Sequence, residues 1–393
     1  MNPANGLSVT LTNNPVADSA MGLYMALTNK VESLTFDSDA QGGYLSAEVT
    51  FAVDRAKAFD LLTSALGKRL VIQSPLAADP SLIAWEGMVH TVFVDDGASP
   101  ITRTLASTYN RVEVVYATVD TSTTPPTVGV QARTAQADST GNQAAYGIRH
   151  LVYPIGGASS TNAVALRDSL LNQYARARAS AQAIRRGGNA DSGGGVAVTI
   201  TAVGFIETLD KRIWRTTAAT ATATLDAIIK AILTGVGQFV NSDQSNISAN
   251  TYSRTQYFDQ DVTAKRTIDL LCALGDGATG RRCYFGIYEN RKPFYFVEPT
   301  APAYVALRLD GRELIRDAVT GAEVPFFLVK PGRIIKFADF VPDAVTYSTA
   351  LDDVRAFLIG SVRYTAPNLI ELTPVTKDAS QITIVRMGLS EIG

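Results

Sequence analysis

The sequence predicts a mainly β chain with some helix, of the α+β class, divided between two β-rich domains. Three observations carry this. Stretches rich in β-branched residues alternate apolar and polar side chains with period two, as a half-buried strand does. Helical periodicity is confined to a few segments, each bounded by a capping residue or a glycine. The chain is 393 residues long, more than one core usually serves, so two to three domains are expected.

Taken in order, Leu7 to Asn29 reads as polar and irregular, with one apolar patch at Met21 to Leu27. Tyr44 to Val53 is the first clear strand, with Leu45, Ala47, Val49, Phe51 and Val53 expected on one face. Asp54 is placed to cap a helix from Arg55 to Leu66, and Gly67 to end it in a left-handed conformation. Strands follow at Arg69 to Gln73 and Ile83 to Val94. The turn signal Asp95-Asp96-Gly97 folds Ile101 to Ala106 back. Val112 to Tyr116 is a short strand, and Thr118 to Pro126 an exposed loop.

Gly156 to Ser160 opens what reads as the longest helix. Ala163, Leu166, Leu170, Tyr174, Ala177, Ala181 and Ile184 step by three or four. Ser159, Ser160 and Thr161 are candidate caps, and Arg185 and Arg186 sit in the expected last turn. The glycine-rich tract Gly187 to Gly195 is read as a flexible joint and the main boundary. Val196 to Val203 then alternates again until Gly204, and is expected to open the second domain. Leu225 to Val236 and about Thr263 to Leu274 are amphipathic helices, the latter closed by Gly275. Strands are expected at Tyr284 to Tyr288, Pro293 to Glu298, Tyr304 to Leu309, Phe326 to Val329 and Arg333 to Phe337. A few more fall between Val362 and Arg386.

Composition excludes several classes. The net charge is −2, so no general attraction to nucleic acid or a membrane surface is expected. No run approaches the ~18 apolar residues of a membrane helix, and Met1 to Thr10 lacks a signal pattern. The two cysteines, Cys272 and Cys283, form no CxxC motif and are expected to be unpaired in a reducing compartment.

Motif tests yield no catalytic, cofactor or metal site. Gly275 to Gly280 matches GxGxxG by letter but follows a helix instead of a strand. It also lacks the Lys and Ser/Thr of a P-loop, since Arg281-Arg282 stand there. His90 and His150 are the only histidines, too few for a three-histidine zinc site. No HExxH or GxSxG is present. Asp259 and Asp261 read as helix-start residues and not calcium ligands. Glu86, beside Trp85, is the best-ranked candidate acid, and the bland reading of a sheet residue outweighs it. Arg167, Arg176, Arg178, Arg185 and Arg186 form a basic helix face, read first as solvated surface and second as a face for passing DNA.

The order of several stretches resembles the hub proteins of bacteriophage tails, the ring at the tail tip or baseplate. They are Gly42 to Phe51 with the helix ending Leu66-Gly67; Trp85-Glu86-Gly87; and Arg103-Thr104-Leu105 followed by Tyr109-Asn110-Arg111 through Tyr116. Ala145-Tyr146-Gly147, Gly204 to Leu209, and Pro331-Gly332 near Asp339-Phe340 complete the series. Trp85, Gly87, Asn110, Tyr116, Tyr146, Gly147, Gly204, Leu209, Pro331 and Gly332 are the matching positions. The likeness runs to about Pro342; after Ala344 none is evident.

The resemblance implies a structural, non-enzymatic virion subunit, made in the host cytoplasm, with no cofactor. It implies a homotrimer that ends the tail tube and partners tube, distal-tail, tape-measure and spike or fibre proteins, with transient DNA passage through the ring. It also implies two β-barrel domains of tail-tube type, at 1–155 and 196–345. These are joined by a long helix and glycine-rich segment at 156–195 and followed by a strand-rich segment at 346–393. Tyr44 to Tyr116 and Val196 to Phe337 share a plan consistent with approximate duplication, and peripheral α/β insertions are expected. Two other readings remain: a distal-tail or receptor- or carbohydrate-binding tail module, and a cell-wall hydrolase. Exposed aromatics on one face would favour the carbohydrate-binding reading. Two carboxylates ~5–10 Å apart in a cleft would favour the hydrolase.

Overall fold

The structure is a computed structural model. It describes residues 7–13, 23–27, 30–74, 82–96, 100–120, 122–181, 195–216, 222–255, 261–309, 312–338, 356–367, 369–375 and 385–388. The chain begins with β1 (Ser8–Thr12), β2 (Leu23–Ala26), β3 (Val31–Asp39), β4 (Gly42–Val53), α1 (Arg55–Ser64), β5 (Arg69–Gln73), β6 (Ile83–Asp95) and β7 (Ile101–Thr104). There follow β8 (Arg111–Asp120), β9 (Thr127–Arg133), β10 (Ala137–Asp138), α2 (Thr140–Tyr146), β11 (His150–Gly157), α3 (Ser160–Tyr174) and β12 (Arg178–Ala181). The second half holds β13 (Val196–Val203), α4 (Ile206–Asp210), β14 (Thr222–Thr224), α5 (Leu225–Val236), β15 (Ser253–Thr255) and α6 (Ala264–Ala273). It continues with β16 (Cys283–Ile287), β17 (Pro293–Val297), β18 (Pro302–Leu309), β19 (Arg312–Asp317), β20 (Glu323–Val324), β21 (Ile334–Phe337), β22 (Ala356–Thr365), β23 (Leu369–Pro374) and β24 (Val385–Gly388).

The chain is mostly β with helices, as the alternation requires. Its centre is β13. The strand lies antiparallel between β4 and β6, with Ile200 opposite Val49 on one side and Val92 on the other. Val196, Val198, Ile200 and Ala202 point into the core that Val49, Phe51, Val92 and Val94 share. Val196, expected to open the second domain, thus begins a strand in the same sheet as β4 and β6. β4 and β6 each have an edge that needs a partner, and only a strand with this core-facing pattern fits between them. The C-terminal strands join the same sheet, since β22 pairs β3 from Ser361 opposite Asp39 to Thr365 opposite Thr35. Strands of both halves thus form one 18-stranded network. Among the described residues no set of strands closes on itself, and two barrel-like domains are not seen among them.

The remaining strands are peripheral. β8 is flanked by parallel β11 and by antiparallel β9 and β10, giving a separate four-stranded sheet. Three apolar clusters result: one under the large sheet, one between α4, α5, α6 and β16, and a small one between β8 and α3.

Local chemistry explains most element ends. Asp54 accepts the Lys57 N–H at 2.8 Å and caps α1. Ser159 caps α3 from Asn162, and Thr263 caps α6 from Arg266. Leu225, Ile228, Ile229, Ile232, Leu233 and Val236 of α5 are all buried, as their spacing predicts.

Other expectations change. In β4 the alternation slips: Tyr44 is buried and Leu45 is exposed. Asp37 faces Ser46 while Ser38 faces Tyr44, so Leu45 is an extra residue that flips the face. The long helix ends at Tyr174. Arg178–Ala181 instead pairs the edge of β7, and those ladder bonds outweigh the helical propensity of the Ala/Arg run. Arg176 and Arg178 therefore lie beyond the helix, and Arg185, Arg186 and Gly187 to Gly194 lie outside the described residues. Asp259 and Asp339-Phe340 also fall outside them. Part of the expected 118–126 loop belongs to the β8–β9 hairpin. Phe326–Leu328 is a short 3-10 turn and not a strand. The N-terminal stretch read as irregular contains β1, whose Val9 and Leu11 are buried against β5. Among the described residues no helix is long and apolar enough to cross a membrane.

Candidate functional site

The positions singled out in the sequence sit at junctions where distant parts of the chain touch backbone to backbone. Gly204 is where β13 leaves the edge of β4. Its N–H donates to the Leu45 carbonyl at 2.7 Å, and a Cβ there would overlap the Tyr44 carbonyl oxygen. β16 then takes over the vacated edge, with Gly286 and Ile287 parallel to Gly42 and Gly43. Trp85 and Gly87 lie on β6 below this point, Gly87 packed against the Val203 carbonyl and Trp85 wholly buried near Tyr44. The Tyr44 hydroxyl donates to the Ile83 carbonyl at 3.0 Å. Pro331 lines a small crevice with Tyr44, Tyr288 and Lys330 that has room for about one water. Gly332 donates its N–H to Ile359 and packs on Phe296. Leu209 is buried in the helical core and Tyr116 in the small one.

A second group forms the root of the four-stranded sheet. Asn110 is buried; its amide donates to the Gly147 carbonyl at 2.7 Å, and its side-chain oxygen accepts the Arg149 N–H at 2.8 Å. Arg149, also buried, donates from Nε to the Thr108 carbonyl and from Nη2 to that of Leu105. Gly147 has φ +73° and faces Phe239 at a distance no side chain would allow. Tyr146 packs against the large core beside Gly67.

Glu86 is not placed as a catalytic acid. It is fully buried in β6, ion-paired to Arg69 of β5, and accepts the Arg291 N–H at 2.6 Å. Burial pushes its carboxyl above the ordinary value, against the pull of Arg69 and Arg291. The group closes a junction between β6 and the turn leading to β17, with no room for a substrate.

Sequence reasoning missed a second carboxylate, Glu113 on β8. His150 Nε2 lies 3.4 Å from its Oε2, and Arg215 donates to it at 2.9 Å. Arg215 Nε also donates to Asp261 at 2.9 Å, and Arg133 reaches the same Asp261 at 3.0 Å. Burial raises the Glu113 pKa, but the His150 and Arg215 hydrogen bonds outweigh it and hold the carboxyl at about 2. The signal was present as a glutamate inside the run Arg-Val-Glu-Val-Val-Tyr, on the face opposite Val112 and Val114. His90 stands apart: burial, with Arg149 and Lys211 nearby, lowers its pKa to about 4.

The GxGxxG-like loop satisfies itself, with Asp276 accepting the Thr279 N–H and hydroxyl and the Gly280 N–H. The cysteines are free and buried, and burial pushes the Cys272 thiol up to about 12. Among the described residues no group of His, Cys, Asp and Glu could hold a metal ion.

No family model and no curated protein matches the chain. Among solved structures it is similar to a 43 kDa tail protein of prophage MuSo2 from Shewanella oneidensis, at 6% identity over 97% of this chain and 96% of that one, TM-score 0.40. It is also similar to a tail protein from Neisseria meningitidis MC58, at 7% identity over 99% and 97% of the two chains, TM-score 0.37. Both structural neighbours are tail proteins.

Proposed function

We propose that this chain is a structural subunit of a bacteriophage tail, a hub that trimerises into a ring at the tail tip. There it ends the tube and seats distal-tail, tape-measure and spike or fibre proteins. One observation supports the reading above others: the stretches that carry the hub resemblance meet in space. Gly204 lies on Tyr44, Gly87 on Val203, Asn110 on Gly147, and Gly332 against Ala40 and Phe296. The matching residues therefore frame the fold, and the crevice that Pro331 lines has room for about one water and not for a substrate. The buried ionisable groups support the same reading, because Glu86, Arg69 and Arg149 are used in tying segments together. The exposed large aromatics among the described residues, Tyr153 and Tyr252, lie on β11 and before β15, which does not favour a carbohydrate-binding face.

The test is native mass spectrometry of the full chain with electron microscopy of the same sample. A trimer with a central opening is expected. A monomer throughout the micromolar range overturns the hub reading, and a six-copy ring favours a distal-tail protein. Clearing of purified peptidoglycan by the chain alone would overturn the structural role.

A further inference from the structure

The four-stranded sheet differs from the rest of the molecule in how it is attached. With α3 it closes a core of its own, formed by Val112, Val114, Tyr116, Ala163 and Leu170. The chain enters and leaves this unit at one place: the Tyr109 N–H donates to the Tyr174 carbonyl at 3.0 Å, and the two rings meet edge to face. Asn110 and Arg149 hold that root through hydrogen bonds to carbonyls. Gly147 against Phe239 lies beside it, where a rotation displaces atoms least.

Apart from Gly147 on Phe239 and Tyr146 on the large core, the contacts that hold the unit to the rest are polar. The His150 N–H donates to the Lys211 carbonyl at 2.8 Å, and the Ile148 N–H to Gln238 Oε1 at 3.2 Å. Beyond these lies the charged cluster, with Glu113 and Arg133 from the unit against Arg215 and Asp261 from the helical half. Units with separate cores and polar interfaces move relative to one another more readily than units sharing apolar surface.

We propose that β8 to β11 with α3 swings as a body about the Asn110–Arg149 root, with the Glu113–Arg215–Asp261–Arg133 cluster as the latch that holds it closed. The inference is independent of the tail-hub reading. Closure stacks one negative and one positive group from each side in alternation, so removing one carboxylate leaves Arg215 with a single partner. The unit's own ladder is untouched by that loss.

The experiment is residue-resolved amide hydrogen exchange on the full chain. In Glu113→Gln the interface amides of Ile148 and His150 exchange faster by about tenfold or more. The Val114 amide, which donates to Thr134 Oγ1 inside the unit, and the amides of β13 keep their rates. Asp261→Asn, on a more exposed side chain, gives the same pattern with a smaller change and serves if Glu113→Gln does not fold. Equal acceleration at Val114 and His150 means local unfolding and overturns the swing. Unchanged interface amides in both variants overturn the latch.

Discussion

Two buried glutamates on neighbouring sheets do related work with different partners. Glu86 is sealed inside the large sheet and bound by Arg69 and the Arg291 backbone. Glu113 lies on the central strand of the small sheet, also buried, and binds Arg215, which in turn holds Asp261. Burial dominates the first and raises its pKa; hydrogen bonds and charge dominate the second and lower it. The difference teaches that two buried carboxylates diverge by the partners each meets, since these decide whether the cost of desolvation is outweighed.

The comparison can be broken most severely at the closed junction. Gly204→Val forces a side chain onto the Tyr44 carbonyl, and we expect a loss of more than about 4 kcal/mol. It reads as failure to recover soluble, cooperatively unfolding protein. Glu86→Gln leaves the buried Arg69 charge poorly compensated and costs about 3–5 kcal/mol in denaturant unfolding. At the small sheet Glu113→Gln costs less, about 2 kcal/mol, because Arg215 keeps Asp261 as a partner and is itself partly exposed. A Glu113 cost equal to that of Glu86 would erase the distinction.

Acid sharpens it further. The folded Glu113 carboxyl titrates at about 2, below the ~4.3 of an unfolded chain. Its contribution is therefore present above pH ~4.3 and lost as pH falls through about 2. Wild type loses stability in that window, and Glu113→Gln loses less, when both are followed by urea titration at each pH. The smallest effect is chemical. Cys272 and Cys283 resist alkylation in native protein and react on unfolding, so a native-state mass shift at either thiol would contradict their burial.

Much of the fold was legible in the sequence where a segment's own side chains decide the outcome. The alternation of Val196 to Val203, the stripe on α5 and the caps at Asp54 and Ser159 are of this kind, whereas α6 is capped by Thr263 and not by Asp261. What was not legible depends on a partner. Nothing in Val196 to Val203 says that its neighbours are β4 and β6, because many edges accept an alternating strand. The Ala/Arg run after Tyr174 has helical propensity, and the β7 edge overrides it. Glu86 could be read as a free acid because Arg291 lies far along the chain. The resemblance-bearing glycines were legible as special positions, although the segment facing each became visible only in the fold.

The interior position of β13 has a consequence for synthesis. Until Val203 has left the ribosome, β4 and β6 face an empty slot, with two edges of unpaired backbone N–H and C=O groups open to other chains. β3 waits longer still for β22. Such distant pairings pay loop-closure entropy before any contact rewards it, so folding is slow and the nascent chain is open to mispairing. Shielding of these edges until their partners emerge would therefore raise the yield of folded protein. Slowing translation just after residue 203 would test this.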